Sequence, residues 1–544
     1  MSDPRRRFVT GLALSAGTLL AAKSAPTIGQ EESSRPRASR DVINLREFGA
    51  KMDGSDETAI LQAAINAARG KTLLIPDGQI MAGGVTMLDA SYNNTTISFL
   101  GELLLKPMPQ GRPSFGGAWV GLLIGRCDGV KLEFRGHGNR LRQPAREHIF
   151  LVGIAGATNL EIPSFRAREV RGDALYIGQS DWLANSANPV GINIGVFDAY
   201  NSEDDGRNAL SIISGDNISI GSFRSFRVGG TINGAIMPGG LDVELDHPYQ
   251  SVTNLSIGSL SVVTSGASGL GISGNSEGNS ANVVGVSVGS FVVKNTCAPT
   301  VKDEFKAVTQ TINHCFVVGN AVRNLIAKGS TTFTRARGDA VIVADCESIH
   351  IEVNVQHVRE GARIGSDTGA RTGPVNSSIH INADNTCQRG IRVGKAMNTR
   401  ISGSVVNPEK GHYSTISGVY LLNPEMKDVV LSVDIGYSPS WTRTYRQDGT
   451  VKYENCAIRD CAVNGPYSDW TVWVGDVQLP RINVQGITEQ GALPKGGSWA
   501  RGTFVRNTSP SEQAGKLLLG WVRLTDGNGT TLGVDWSPAY AVMR

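Results

Sequence analysis

The sequence predicts an all-β fold: a parallel β-helix with a short capping helix near its N-terminal end and a small β module at its C-terminal end. Glycine supplies 66 of the 544 residues, well above the roughly 7% of an average chain. Aromatic residues make up only 6%. This composition is typical of short strands joined by tight turns, and it excludes a coiled coil and a highly charged disordered chain.

Two series of short apolar strings recur along the chain and are the main evidence for a solenoid. The first includes NLEIPSF from 159, NISIGSF from 217 and VSVGSF from 286, and the second includes GDALYIG from 172 and RNALSII from 207. A repeat of 20–50 residues indicates a solenoid or a propeller, and the Trp-Asp signature of a four-stranded propeller blade is missing. Since one coil cannot bury its own apolar face, stacked coils would form a long, narrow core.

The first 40 residues predict an export signal followed by a linker. Three arginines at 5–7 precede an apolar run that ends at Ala22, and small residues follow. This pattern is typical of a secretory signal over 1–24, of the twin-arginine class, and predicts a periplasmic or secreted protein. An ordinary basic N-terminus is the alternative. Residues 25–40 are polar and without period, as in a linker.

The net charge and the hydropathy pattern favour neither nucleic acid nor a membrane as the partner. The formal charge is +3 and falls to zero without the signal, which gives no basic footprint for nucleic acid. No run of about 18 apolar residues occurs, so the sequence predicts no membrane span.

Residues 41–80 predict a short strand, a glycine turn, a helix and a buried strand. Ser55 or Asp56 is the expected helix cap, and Gly70 the expected end. Strand Thr72–Ile75 should follow. The helix would present one apolar face, formed by Ile60, Leu61, Ala64, Ile65 and Ala68.

This segment resembles the N-terminal cap and first coil of the right-handed β-helix proteins of the pectate-lyase superfamily, in particular the rhamnogalacturonase- and epimerase-like branch. The matching strings are Phe48-Gly49-Ala50, Asp53-Gly54, Asp56-Glu57-Thr58-Ala59, Gln62-Ala63-Ala64 and Ile75-Pro76-Asp77-Gly78. Together with the repeats, the resemblance covers about 41–465 and implies a right-handed β-helix. That architecture carries hydrolases, lyases, epimerases and phage tailspikes, so it does not fix the chemistry. The sequence leaves the oligomeric state open, and the analogy with tailspikes would make the protein a trimer.

The composition changes at about residue 466, and 466–544 is expected to form the small β module. Five of the eight tryptophans fall there. Their flat faces would suit stacking on sugar rings, or they would form a small β core.

The seven cysteines have no zinc-site spacing. Cys456 and Cys461 are the nearest candidates for a disulfide, with buried free thiols as the alternative.

Alternation in the second series places a group of polar side chains on the outward face of neighbouring coils. Leu175, Leu210 and Val243 must point inward to build the core, so their sequence neighbours point outward. The expected catalytic group consists of Asp242, Glu244, Arg207, Asp205 and Asp204, and the expected substrate contacts are Tyr176, Ser211 and His247.

This group allows three kinds of function. Hydrolysis of a glycosidic bond needs one protonated carboxyl and one ionised partner, and adjacent like charges would raise one of the two pKa values. A lyase would use the carboxylates to bind Ca²⁺ and Arg207 or a lysine to abstract the C5 proton of a uronate. A structural ladder of ion pairs would fit a non-catalytic polysaccharide-binding or surface protein.

We predict an exported enzyme that cleaves an acidic or deoxy-sugar polysaccharide, with a slight preference for hydrolysis. Calcium is expected only for a lyase, and no other cofactor or metal is indicated. The polygalacturonase motifs of the resembled architecture are incomplete: Gly136-His137-Gly138 lies upstream of the repeats, and 246–248 reads Asp-His-Pro. No catalytic residue is therefore carried over from those enzymes.

Overall fold

The structure, a computed structural model, describes most of the chain from residue 42 onward. The main ranges are 42–109, 117–146, 148–179, 186–232, 235–264, 266–275, 282–296, 314–333, 338–365, 373–408 and 417–436, with shorter pieces after 436. The predicted export signal and linker, and the Cys456–Cys461 pair, lie outside the described residues. Cys127, Cys315 and Cys346 are buried free thiols. In the described ranges, no helix is long and apolar enough to span a membrane.

Parallel pairing between successive coils builds the body of the protein. Within the described residues, 31 strands join one sheet through parallel pairings, which confirms the predicted parallel β-helix. The repeated apolar positions of the first series pair with one another: Ile162 with Ile194, Ile194 with Ile220, and Ile220 with Ile257. The repeats are therefore successive coils in register.

Two stacks of strands cover most of the β-helix. We call the first the long-strand stack; it contains Lys131–His137, Thr158–Arg168, Val190–Asp205, Gly215–Val228, Val252–Thr264, Val283–Asn295, Val322–Phe333, Cys346–Ile364, Ser378–Met397, Arg400–Val406 and Val430–Gly436. The second, which we call the site stack, contains Val85–Met87, Trp119–Gly125, Ile149–Ala155, Asp173–Ile177, Leu210–Ile212, Leu241–Glu244, Leu270–Ser273, His314–Gly319 and Asp339–Val343. It continues through the last residues of Cys346–Ile364 and Ser378–Met397 into Ser417–Lys427 and Arg443–Asp448.

Shorter elements begin and end the β-helix. The first coils use strands Val42–Asn44, Asp53–Asp56, Thr72–Ile75, Gln79–Ala82, Thr96–Phe99 and Glu102–Leu105. The 3₁₀ helices are Leu45–Phe48, Ala90–Tyr92 and Arg140–Arg142, and Thr231–Ile232 and Ala235–Ile236 form a small antiparallel pair. The last parallel strands are Lys452–Glu454, Ala457–Ile458 and Val463–Asn464.

The predicted capping helix spans Thr58–Ala67 and buries Leu61, Ala64 and Ile65. The residue at the N-cap position is Glu57, whose side chain makes no capping hydrogen bond. Asp56, one residue earlier, accepts a hydrogen bond from the backbone nitrogen of Thr58 at 3.2 Å. The two expected caps, Ser55 and Asp56, both lie in strand Asp53–Asp56, so the sequence placed the cap too early.

A column of aromatic rings fills the core at the spacing of the coils. Phe134 stacks on Phe165 with ring centroids 4.9 Å apart, Phe165 on Phe197 at 5.0 Å, and Phe197 on Phe223 at 4.8 Å. Neighbouring strands lie about 4.8 Å apart, so one ring per coil makes continuous contact along the axis. The phenylalanines that end the first series of repeats are therefore core residues.

The C-terminal residues that the structure describes form a hairpin and a small sheet. The hairpin joins Val472–Val474 to Val477–Leu479, and the sheet contains Thr488–Gln490, Phe504–Asn507, Glu512–Gln513, Lys516–Arg523 and Trp536–Val542. Trp521 and Trp536 are buried there with Val505. These two tryptophans form a β core, which was the second of the two expected roles.

Candidate active site

One outward position recurs on successive coils of the site stack and forms a continuous column. Ser211 pairs with Tyr176 on one side and with Asp242 on the other, and Asp242 pairs in turn with Gly271. Toward the C-terminal coils the column continues through Val317, Ile342, Arg363, Arg392 and Tyr420. We call these nine residues the site column. It presents one side chain about every 4.8 Å along the axis of the β-helix.

A buried hydrogen-bond network surrounds Ser211. Arg207 Nη1 donates to Asp173 Oδ2 at 2.8 Å and to Ser211 Oγ at 3.2 Å. Ser211 Oγ donates to Asp173 Oδ2 at 2.9 Å. Asn208 Nδ2 donates to Ser211 Oγ at 2.8 Å and to Asp242 Oδ2 at 3.3 Å. The network therefore links a buried aspartate–arginine pair to Asp242.

Asp242 has a raised pKa, which suits its carboxyl group to donating a proton. Its side chain is almost fully buried, whereas Glu244, two residues along the strand, is exposed. Burial above all, and then the negative charge of Glu244, raises the pKa of Asp242 to about 8, with Arg207 opposing the shift. The shift also reflects the negative charge of Asp173 and a side-chain hydrogen bond to Glu244. These influences favour the protonated, neutral form of the Asp242 carboxyl.

Asp173 and Arg207 hold each other in place behind this acid. Burial is the main influence on Asp173 and raises its pKa, and the charge of Arg207 is the strongest influence in the opposite direction. The Arg207 side chain is 13% exposed. A guanidinium group that donates to a carboxylate stays protonated, so Arg207 supplies a fixed positive charge at this point.

Because Gly271 has no side chain, the Asp242 carboxyl can occupy the space beside it. A Cβ atom on Gly271 would lie 2.7 Å from Asp242 Oδ1, closer than real contacts allow. We expect Gly271→Ala to displace that carboxyl and to lower kcat by about 10- to 100-fold, the scale of a small misplacement of a catalytic group. Steady-state kinetics would measure this loss.

Gly319→Ala is the matched control, because it changes a glycine on the next strand of the same stack. Its Cβ would meet only Ala344 O at 3.5 Å, an ordinary contact. The control should keep activity and melting temperature within the error of the wild type. Equal activity in the two variants would contradict the placement of Asp242 at the reacting position.

The structure places Asp204 and Asp205 in a different polar cluster. Asp205 Oδ2 accepts from Arg140 Nη1 at 2.9 Å and also contacts Arg171 Nη1. Asp204 lies 3.9 Å from Arg227 Nε. Both carboxylates end strand Val190–Asp205, and their described side-chain partners are arginines of neighbouring coils. The described contacts join neither of them to Asp242.

Tyr176 and Ser211 lie in the outward column as expected, but both are buried. Tyr176 stacks on Phe150 with ring centroids 4.7 Å apart, inside an apolar cluster that includes Leu123. Ser211 is fully buried. These two side chains support the site from within, since Tyr176 packs against Phe150 and Ser211 bonds to Asp173, Arg207 and Asn208.

His247 belongs to the loop that follows strand Leu241–Glu244. Its backbone nitrogen donates to Gln250 Oε1 at 2.8 Å, and Gln250 Nε2 donates to Gln179 O at 3.0 Å. The His247 ring stacks on Tyr249 with centroids 5.0 Å apart. Tyr249 is 54% exposed and lies within about 18 Å of Glu244 along the chain. The loop therefore presents an exposed aromatic side chain five residues after Glu244.

Sequence reasoning missed Asp173, Asn208, Gly271 and Tyr249. A signal for Asp173 was present: the string Gly-Asp-Ala opens two members of the second series, at 172 and 338. In both, the aspartate is fully buried and bound to arginine, since Asp339 contacts Arg359 and Arg363 at 2.6 Å. Among the described residues, no group of three or more His, Cys, Asp or Glu side chains is arranged to hold a metal ion.

Comparisons with known proteins find similar chains among the solved structures. No protein-family model and no curated protein matches it. It is similar to pre-mature gene product 12 of bacteriophage phi29, with 15% identity and a TM-score of 0.44 over 75% of this chain and 57% of that chain. The chain therefore spans little more than half of the phage protein.

Two further solved structures show how varied such likenesses are. The catalytic unit of a thermostable GH87 α-1,3-glucanase from Streptomyces thermodiastaticus has 11% identity and a TM-score of 0.40, over 80% of this chain and 71% of that chain. PfbA, a surface adhesin of Streptococcus pneumoniae, has 11% identity and a TM-score of 0.37, over 75% of this chain and all of that one. At such values, function has to be argued from the residues of this chain.

Proposed function

We propose that this protein is an exported enzyme that hydrolyses glycosidic bonds in a polysaccharide, with Asp242 as the general acid and Glu244 as its carboxylate partner. The observation that carries the proposal is that the two carboxyl groups of this pair differ in burial. Asp242 is buried with its pKa raised to about 8, and Glu244 is exposed two residues away. Glycoside hydrolysis requires this division of roles between two carboxyl groups.

The proton would move from Asp242 to the leaving group. A glycosidic oxygen that enters between the two carboxyls would replace Glu244 as the hydrogen-bond partner of Asp242 and accept its proton as the C–O bond breaks. In the same displacement, the exposed carboxylate of Glu244 would activate a water molecule or attack the anomeric carbon. Asn208, which donates to Asp242 Oδ2 at 3.3 Å, would hold the acid in position.

The rest of the network would set the charge around this step. The positive charge of Arg207 opposes the rise in the pKa of Asp242, so it would also stabilise the carboxylate that remains after proton transfer. Asp173 would keep the guanidinium fixed through its 2.8 Å contact. The Tyr249–His247 surface would bind a sugar ring, since an aromatic face suits the apolar face of a pyranose.

A lyase mechanism fits these contacts less well. It needs a base that can lose its proton, whereas Arg207 donates to two oxygen atoms of the network. A non-catalytic role as a polysaccharide-binding or surface protein does not require a carboxyl group with a raised pKa, such as that of Asp242. We therefore place hydrolysis first.

A panel of neutral and acidic polysaccharides tests the proposal. The wild-type protein should release new reducing ends from at least one polymer, without the ultraviolet absorbance of an unsaturated sugar and without inhibition by a chelator. Unsaturated products that disappear with a chelator would favour a calcium-dependent lyase. Binding without any product would favour the non-catalytic role and overturn the proposal.

A further inference from the structure

The geometry points to a second site on the same face, and we propose that Arg363 and Arg392 form a subsite for an anionic group of the polysaccharide. This inference rests on the proposed function, because it assigns the substrate to the class of polyanionic polysaccharides. Both arginines belong to the site column that contains Asp242. A polymer lying along the column would reach them toward the C-terminal coils.

The register sets the distance between the two sites. Four pairings lead from Asp242 to Arg363, through Gly271, Val317 and Ile342, and a fifth leads to Arg392. At about 4.8 Å per coil the arginines lie roughly 19 and 24 Å from the acid. That separation spans several sugar units, so an extended polymer could contact both sites at once.

The column between the two sites suits the path of a sugar chain. Gly271 has no side chain, and Val317 and Ile342 are half-buried aliphatic side chains on the outward side. Their neighbours along each strand, such as Val341 and Val343, are fully buried in the core. Of the side chains that the structure places in the column here, none is charged until Arg363.

The basic cluster around Arg363 and Arg392 contains more positive than negative charge among the described residues. Its four guanidinium groups belong to Arg359, Arg363, Arg389 and Arg392, and its two carboxylates to Asp339 and Glu360. Both carboxylates are almost fully buried at the inner side of the cluster. The arginine side chains are partly exposed, Arg363 most of all at 31%.

Two observations indicate that these arginines are not only a structural ion-pair ladder. Glu360 Oε2 and Arg363 Nε are 4.0 Å apart, and both are buried with no hydrogen-bond partner in the described part of the chain, whereas native structures satisfy most such atoms. Burial, and to a lesser extent the like charge of Arg363, lowers the pKa of Arg392, against the pull of Glu360. An incoming anion would relieve this accumulation of positive charge.

Tyr420 provides a surface that orients the guanidinium groups. Arg389 lies over its ring at 4.3 Å from the centroid, and Arg392 at 5.9 Å. Stacked, preorganised guanidinium groups suit carboxylate and sulfate oxygens better than flexible ammonium groups do. The shared chemistry of the ligand is thus an oxyanion carried on a sugar, as a carboxylate or as a sulfate.

Binding measurements on the full-length protein test this subsite. The probes are polygalacturonate, the same polymer with its carboxyl groups reduced to alcohols, and dextran sulfate, each titrated in affinity electrophoresis at low and high salt. We expect polygalacturonate or dextran sulfate to bind more tightly than the reduced polymer, and this preference should fade as salt screens the charges. Preference for dextran sulfate would identify sulfate as the group, and preference for polygalacturonate a carboxylate.

Two variants and one control locate the binding. Arg363→Gln with Arg392→Gln should weaken binding of the preferred polyanion by about tenfold or more, as expected for lost charge-assisted hydrogen bonds. Ile342→Glu keeps every arginine but places a negative charge in the column, and it should weaken polyanion binding in the same direction. Arg224→Gln is the matched control, since Arg224 is 63% exposed, pairs with Asp198 and lies on the long-strand stack. It should bind like the wild type.

The outcomes separate this inference from the proposed function. Equal polyanion affinity in the wild type, the double variant and Ile342→Glu, with all three folded by thermal melting, would overturn the subsite. So would equal affinity for polygalacturonate, dextran sulfate and the reduced polymer. Cleavage of a neutral polysaccharide would leave the hydrolase proposal intact in that case. Arginine-dependent binding of a polyanion without cleavage of any polymer would support the subsite and refute the hydrolase.

Discussion

Asp242→Asn should lower kcat by at least about 100-fold on any polysaccharide that the wild-type protein cleaves, the scale on which general acid catalysis is lost. The amide keeps the shape of the side chain and its contact with Asn208, but it has no proton to give to a leaving oxygen. Glu244→Gln should cause a loss of similar size, because it removes the carboxylate partner. Initial rates of reducing-end release would measure both.

The stability of the Asp242→Asn variant separates a catalytic from a structural role. Because the pKa of Asp242 is raised to about 8 from its ordinary 3.8, the folded protein holds a proton that the unfolded chain releases. Wild-type stability should therefore decrease as the pH rises from about 4 to about 8. The variant should lose this decrease and melt no lower than the wild type at pH 8.

Asp198→Asn is the matched control for activity, since Asp198 pairs with Arg224 on the long-strand stack. It should retain activity within about twofold, as surface substitutions usually do. Full activity in Asp242→Asn would show that the reacting groups lie elsewhere on the β-helix. A large loss in Asp198→Asn would show that the assay follows stability rather than chemistry.

Ile220→Asp should unfold the β-helix or lower its free energy of unfolding by at least about 4 kcal/mol, the upper range for a single substitution. Ile220 is 1% exposed and pairs with Ile194 and Ile257 on the neighbouring coils. An aspartate there would place a charge in the narrow core with no partner. Urea unfolding followed by circular dichroism would measure the change.

Ser219→Asp tests the same strand on its other face. Ser219 is half-buried, and its hydroxyl donates to Asn193 Oδ1 at 2.9 Å. The substitution should cost under about 1 kcal/mol, because the new carboxylate remains in contact with water. Similar, small effects at 219 and 220 would contradict the assignment of inward and outward faces on which the site column depends.

The architecture could be predicted because the β-helix repeats its signal on every coil. The apolar positions at Ile162, Ile194 and Ile220 alternate with polar ones, and each pairs with the equivalent position on the next coil. Period-two alternation also placed Tyr176, Ser211 and Asp242 on one face. The alternation of inward and outward side chains is a local property of each strand, and stacking repeats it on every coil.

The composition of the site depended on contacts that alternation does not encode. Asp173 is the first residue of its strand and Arg207 precedes the next strand of the stack, so their contact depends on how the chain enters each strand. Asp204 and Asp205 are close to Arg207 in sequence, yet Asp205 is held by Arg140, which is 65 residues away along the chain. Burial of Tyr176 follows from the apolar cluster around Phe150, and no alternation pattern reveals what shields an outward face from solvent.

The pH dependence of kcat/KM tests the central claim most directly, because it reports the ionisation of the free enzyme. It should be measured on a polysaccharide that the wild-type protein cleaves. If Asp242 is the acid, activity should fall as the pH rises through an apparent pKa of about 8, the value at which the buried carboxyl loses its proton. Activity that stays constant or increases through this range would show that a protonated Asp242 does not carry the reaction.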